Sequence, residues 1–238
     1  MNIIQNFSSN YSKKNRAKNS IKFIILHYTG MQSEIESIKR LKDPKYKVSC
    51  HYLINRKGIV TQMVKEKHVA WHAGKSKWKR FQNLNLSSIG IELVNRGHQF
   101  GYQNFSNDQI KSLILLCKKL KKKYNIRPEN FLGHSDIAPL RKFDPGEKFP
   151  WKKLSAYDLG KWPKKHKSEI FKNNKEKLDI TFFKNLRKIG YRYFNISKRS
   201  ARDKRVIKSF QQHYLPNNVS GKIDKKTLIT SYFLINQN

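Results

Sequence analysis

Two unbroken apolar runs organise the chain. Residues 21–28 read IKFIILHY and residues 89–94 read IGIELV, and apolar character of this length without polar alternation predicts strands covered on both faces. Two shorter runs, 51–54 and 59–64, flank the turn residues Asn55, Arg56, Lys57 and Gly58 in a hairpin pattern. Helical spacing takes over elsewhere. Ser33 and Glu36 form a capping-box pair around Ile35, Ile38 and Leu41; Ser106 and Gln109 precede Ile110, Leu113, Ile114, Cys117, Leu120 and Tyr124, which predicts a helix over 107–124. Phe131 and Leu132 make a short strand that runs into residues 133–146, GHSDIAPLRKFDPG, where Pro139, Pro145 and a glycine at each end argue against regular helix. Phe149, Pro150, Trp151 and Leu154 close this first unit.

Beyond a lysine-rich stretch, three short helices are expected, around Phe182, Phe183, Leu186 and Ile189, around Val206, Ile207, Phe210 and Tyr214, and around Ile223, Leu228, Tyr232 and Phe233. The expected fold is α/β, a central mixed β-sheet flanked by helices, with a small C-terminal three-helix domain. The expected boundaries are a flexible N-terminal segment over 1–20, a first domain over 21–159, a linker over 160–176 and the helical domain over 177–238.

Composition adds one constraint. With 238 residues and 37% hydrophobic content the chain can bury a sizeable core, but its formal net charge is +35. Charge of that size attracts polyanions, whether nucleic acid, an anionic membrane face or an acidic wall polymer, and biased composition alone also produces it. The basic residues are dispersed and no nucleic-acid motif accompanies them, so a nucleic-acid partner is not expected. The lysines at 118–123 suit the C-terminus of the predicted helix and need no ligand. Cys50 and Cys117 make no disulfide framework and read as small core residues. The polar, basic start offers no signal peptide and the chain no membrane span, which places the protein in the cytoplasm unless it is exported by a non-standard route.

Candidate chemistry gathers at strand ends and in one loop. His27 stands at the exit of the first apolar run. Pro145 biases Asp144 toward extended backbone, so Lys142 and Asp144 point the same way. Glu92 shares a strand face with Gly90 and Val94, where burial would raise its pKa and suit it to moving a proton; an edge glutamate paired with a lysine is the other reading. His68, Trp71, His72, Ala73 and Gly74 cluster without periodicity, as metal ligands or as an aromatic wall. His27, His134 and Asp144 together would leave a fourth tetrahedral position for water, the pattern of an open catalytic zinc site.

The blocks ILHYTG, SCHYLINRKGIVTQMV, AWHAG, SSIGIELVN, GHSDIAP and RKFDPG occur in this order over residues 21–154. They resemble the zinc-dependent N-acetylmuramoyl-L-alanine amidases, the type-2 family that shares a fold with phage lysozyme-type amidases and animal peptidoglycan recognition proteins. The likeness is greatest to the branch of bacterial lipoprotein amidases and cytosolic recycling amidases. The resemblance implies one Zn2+ per chain on His27, His134 and Asp144, with Glu92 handling the proton and Lys142 stabilising the transition state. Tyr28, Trp71, His72, Ala73 and Asn95 are the expected substrate-cleft residues. Leu140 departs from the family, many members of which have glycine before the Arg-Lys pair. Residues 201–227, with Phe210, Gln211, Gly221, Ile223, Asp224 and Thr227, resemble the three-helix peptidoglycan-binding module that accompanies many wall hydrolases.

The implied activity is hydrolysis of the amide between N-acetylmuramic acid and L-alanine in peptidoglycan or anhydro-muropeptides, by a monomeric enzyme. The rival readings are a non-catalytic wall-binding protein and a basic nucleic-acid binder. Retention of the His, His, Asp, Glu and Lys set argues against the first.

Overall fold

The two unbroken apolar runs become adjacent interior strands of a six-stranded mixed sheet. The computed structural model describes residues 2–13, 15–163 and 178–236. In chain order come strands β1 (Ile3–Gln5), β2 (Tyr11–Ser12) and β3 (Phe23–Tyr28), helix α1 (Glu34–Lys42), then β4 (Tyr52–Ile54), β5 (Val60–Gln62), β6 (Val69–Ala70), β7 (Lys77–Trp78), β8 (Phe81–Gln82) and β9 (Ser88–Leu93). They are followed by α2 (Asn107–Tyr124), β10 (Phe131–Gly133), α3 (His134–Ile137), α4 (Trp151–Ser155), α5 (Leu178–Ile189), α6 (Asp203–Tyr214) and α7 (Lys225–Ile235). The main sheet runs β1-β5-β4-β9-β3-β10, with β4 and β5 antiparallel and the other neighbours parallel.

Parallel strands need cover on both faces, and alternate residues of β3 and β9 supply the two apolar surfaces. Ile24, Leu26, Ile89, Ile91 and Leu93 pack against Ile110, Leu113, Cys117 and Leu120 of α2. On the opposite face, Phe23 and Ile25 join Trp78, Leu132 and the C-terminal Phe182, Phe183, Leu186 and Phe210 in one buried cluster. The β3–β9 register sets Ile25 beside Gly90 and His27 beside Glu92, so both functional candidates leave the sheet on this second face.

The helix signals resolve into specific caps. Ser106 Oγ accepts from the Gln109 amide at 3.2 Å, but the reciprocal half of the capping box is absent because the Gln109 side chain instead donates to the carbonyls of Ile54 and Val94. Ser33 caps α1, yet Ile35 is 79% exposed; helical spacing put it on a face with nothing to pack against. Three expectations need correction. Segment 1–20 is not a loose start, since β1 pairs with β5, β2 pairs with β6, and the buried Asn10 donates to the carbonyls of Asp43 and Val48. The 133–146 stretch contains one helical turn, α3. Ile223 precedes α7, whose N-cap Asp224 accepts from the Thr227 amide at 2.7 Å.

The expected 160–176 linker falls mostly on residues outside those described. Among the described residues, no helix is long and apolar enough to cross a membrane, and both cysteines are buried and unpaired. The C-terminal helices meet the rest of the chain closely at Gly190, whose φ is +144° and where a Cβ would lie 2.4 Å from the Trp78 ring. Gly190→Ala is therefore expected to destabilise the fold by about 2 kcal/mol or more through overpacking and backbone strain together, read as a lower melting temperature.

Candidate active site

The carboxyl ends of β3, β9 and β10 lie side by side, where open parallel sheets commonly hold their sites. His27 leaves β3, Glu92 leaves β9, and His134 is the first residue after β10. The loop beyond α3 turns back because the amides of Arg141 and Lys142 both donate to the Ala138 carbonyl, and the Ser135 amide donates to the Asp144 carbonyl at 2.8 Å. That return brings the Asp144 side chain onto both histidines. Its Oδ2 lies 2.9 Å from His27 Nδ1 and 3.1 Å from His134 Nδ1, and the three prospective ligand atoms fall within 4.8 Å of one another. All three residues are buried.

A cavity of about 460 Å³ opens on this cluster, lined also by Tyr28, His72, Glu92, Arg141 and Lys142. Glu92 is buried, and its Oε2 has no hydrogen-bond partner among the described residues. Burial, with the Asp144 charge nearby, holds its carboxyl well above the usual carboxylate range, although Lys142 opposes the shift. Burial would raise Asp144 as well, but the adjacent His134 and His27 hold it well below its ordinary value. Two carboxyl groups in one cavity are thus driven in opposite directions, one toward the proton and one toward the charge. Burial and the neighbouring His134 lower His27 to about 4, which keeps its ring neutral and able to ligate a cation. His72 is held well below its usual value by burial and by His27 and His51.

The expected cleft residues divide. Tyr28 lines the cavity, and its hydroxyl meets His98 Nδ1 at 2.9 Å. His72 also lines it, but both ring nitrogens are engaged, with His27 and with Ser88. Ala73 presents its backbone carbonyl to His134. Trp71 is not among the lining residues and is tied through its backbone to Ser49, while the buried Asn95 uses its amide within the 95–103 loop, on Gly97 and Gln103.

Two features escaped sequence reasoning. Arg141 lines the cavity and donates to the Ala73 and Lys75 carbonyls; its place in the RKFDPG block was the available signal. Asp136, two residues past His134, accepts hydrogen bonds from the Gly133 amide, Tyr191 Oη and His213 Nδ1 at 2.7, 2.5 and 2.7 Å, which joins the loop to the C-terminal helices. Leu140, the departure from the family pattern, packs on the same C-terminal cluster, and its carbonyl accepts from Arg205.

A mixed sheet whose strand ends carry two histidines and a buried aspartate offers a possible metal site, with a second buried carboxyl in the same cavity, a combination suited to hydrolysis. The N-acetylmuramoyl-L-alanine amidase family model matches residues 17–147. The chain is 36% identical over 224 residues to the N-acetylmuramoyl-L-alanine amidase AmiD of Escherichia coli, covering 87% of this chain and 79% of AmiD. It is 34% identical over 151 residues to the 1,6-anhydro-N-acetylmuramyl-L-alanine amidase AmpD of Haemophilus influenzae, covering 56% of this chain and 80% of that one. The E. coli AmiD structure, solved with the substrate anhydro-N-acetylmuramic acid-L-Ala-D-γ-Glu-L-Lys, superposes with a TM-score of 0.78 at 33% identity over 94% of this chain and 91% of AmiD. AmpDh3 of Pseudomonas aeruginosa gives 0.77 at 30% identity over 95% of each chain. The chain belongs to the N-acetylmuramoyl-L-alanine amidase family and is an enzyme of that class.

Proposed function

We propose that this chain is a Zn2+-dependent amidase that cleaves the bond between the lactyl carbonyl of N-acetylmuramic acid and the amine of L-alanine in peptidoglycan stems and anhydro-muropeptides. The observation that carries the reading is the meeting of the two histidine Nδ1 atoms and Asp144 Oδ2 beside an unpartnered buried Glu92 oxygen. Two imidazoles and one carboxylate fit zinc's preference for mixed nitrogen and oxygen ligands. His27, His134 and Asp144 would hold one Zn2+ per chain. When bound, the ion supplies Lewis acidity toward the scissile carbonyl and lowers the pKa of water.

The rest is the work of side chains. Glu92 Oε2 accepts the proton of the attacking water and returns it to the departing alanine nitrogen, a role suited by a carboxyl whose proton affinity is raised by burial. Lys142 brings positive charge to the same cavity, where the carbonyl oxygen becomes negative. Tyr28 walls the cleft. The anhydro-muropeptide substrate of AmiD supports the same substrate class here. The three C-terminal helices, similar in sequence to wall-binding modules, are proposed to add contact with polymer.

The test is mass spectrometry of products from purified protein given intact sacculi or soluble anhydro-muropeptides, each with and without a chelator. Stem peptides beginning at L-alanine, lost on chelation and regained with Zn2+, are the expected products. Correctly folded, Zn2+-loaded protein that cleaves neither substrate would overturn the catalytic reading.

A further inference from the structure

Each histidine of the cluster has a second ring nitrogen turned away from Asp144, and both of these end on one dipeptide. His27 Nε2 meets His72 Nδ1 at 3.0 Å, and His134 Nε2 meets the Ala73 carbonyl at 3.1 Å. Proton positions follow from groups that have a single role available. A carbonyl only accepts, so the Ala73 contact requires hydrogen on His134 Nε2 and leaves its Nδ1 as a lone pair. The Leu84 carbonyl likewise takes the Ser88 hydroxyl hydrogen at 2.6 Å, so Ser88 Oγ can only accept at 3.1 Å from His72 Nε2. His72 then keeps its lone pair on Nδ1 and accepts from His27 Nε2, which leaves His27 Nδ1 bare as well. Arg141 Nη2 lies 3.3 Å from His134 Nε2, but its hydrogens go to the carbonyls of Ala73 and Lys75.

Two separate networks therefore give the same result, an imidazole lone pair on the side of Asp144, as a cation shared by the three groups would require. The dipeptide itself is fixed. Asn85 Oδ1 accepts from the backbone amides of both His72 and Ala73, at 3.1 and 2.6 Å. Gly90 makes room for the imidazole, because a Cβ there would sit 2.3 Å from His72 Cγ. Ser88 and Asn85 do not line the cavity, so their contribution runs through His72 and Ala73.

We propose that His72, backed by Ser88, and the Ala73 carbonyl, pinned by Asn85, are the positioning groups that orient both histidines with Nδ1 toward the metal. The AWHAG block is then the outer shell of the metal site instead of a wall for substrate. Outer-shell partners of this kind are worth about 10–100-fold in metal affinity. The proposal rests on the metal-site reading above, and its tests separate the two.

Zn2+ affinity by competition with a chelating dye should fall about 10–100-fold in His72→Phe, which fills the ring's space without its nitrogens, and recover largely in His72→Asn, which can still accept from His27 and donate to Ser88. Asn85→Ala should weaken Zn2+ in the same direction. Long-range 15N NMR of Zn2+-loaded wild-type protein should show His27 and His134 carrying hydrogen on Nε2. Wild-type Zn2+ affinity in a folded His72→Phe protein, or hydrogen on Nδ1 of His27, would overturn the proposal and leave the metal reading standing. Wild-type protein that binds no Zn2+ would overturn both.

Discussion

Glu92→Gln is expected to lower kcat/KM by about 10³-fold while Zn2+ stays bound and the metal-free fold becomes more stable. The loss of rate follows from removing the one buried cavity oxygen that, among the described residues, lacks a partner and can take a proton. Retention of metal follows because Glu92 stands beside His27 in the β3–β9 register without contributing to the three-residue cluster. The stability change has a definite sign. Burial raises the native pKa of Glu92, so above the ordinary carboxylate value the native state keeps a proton that the unfolded chain has lost. Native stability therefore falls as pH climbs from that value through the raised one, and glutamine is free of this loss. The advantage of Glu92→Gln should be small below pH 4.5 and grow toward neutrality, as read from melting temperatures against pH. A variant that is inactive because it has lost Zn2+ would make Glu92 a ligand or a scaffold residue and sink its role as proton carrier.

His134→Ala should remove both metal and turnover. The ion stabilises developing charge by several kcal/mol, so its loss corresponds to a fall in kcat/KM of about 10³-fold or more. The substitution deletes one of the three convergent atoms and releases the Ala73 carbonyl from its 3.1 Å hydrogen bond. The chelated wild-type enzyme is the natural reference, and the two should fall together within a few-fold. Zn2+ content near one per chain for wild type and near zero for His134→Ala, with matching circular dichroism, is the expected pair of readings. Full Zn2+ content in the variant would remove His134 from the ligand set.

The parts legible in the sequence were those with local, repeated signals. The 107–124 helix had a cap, five buried apolar residues at helical spacing and a basic end, and α2 has those bounds. β3 and β9 were legible because central parallel strands tolerate no polar alternation on either face. Pairing is different in kind: that His27 stands beside Glu92 is a fact about register between residues 65 positions apart, and no local pattern encodes it. β1 was missed because an edge strand held by backbone hydrogen bonds can leave Ile4 half-exposed among polar neighbours. The four-residue α3 is too short for periodicity to register. In the AWHAG block, residue type alone could not tell that Ala73 acts through its carbonyl, or that Trp71 is fastened by its backbone to Ser49.

Asp136 ties the loop after His134 to the C-terminal helices. It lies inside the family-matched segment 17–147, yet two of its three hydrogen bonds come from Tyr191 and His213, far outside that segment. Trp151, just past that segment, stacks on His213 with ring centroids 3.8 Å apart. The matched stretch is thus smaller than the stretch that shapes the turn next to His134. A different tail on this catalytic segment would leave a buried carboxylate short of two donors, so the C-terminal helices hold up the metal-side turn as well as whatever they bind.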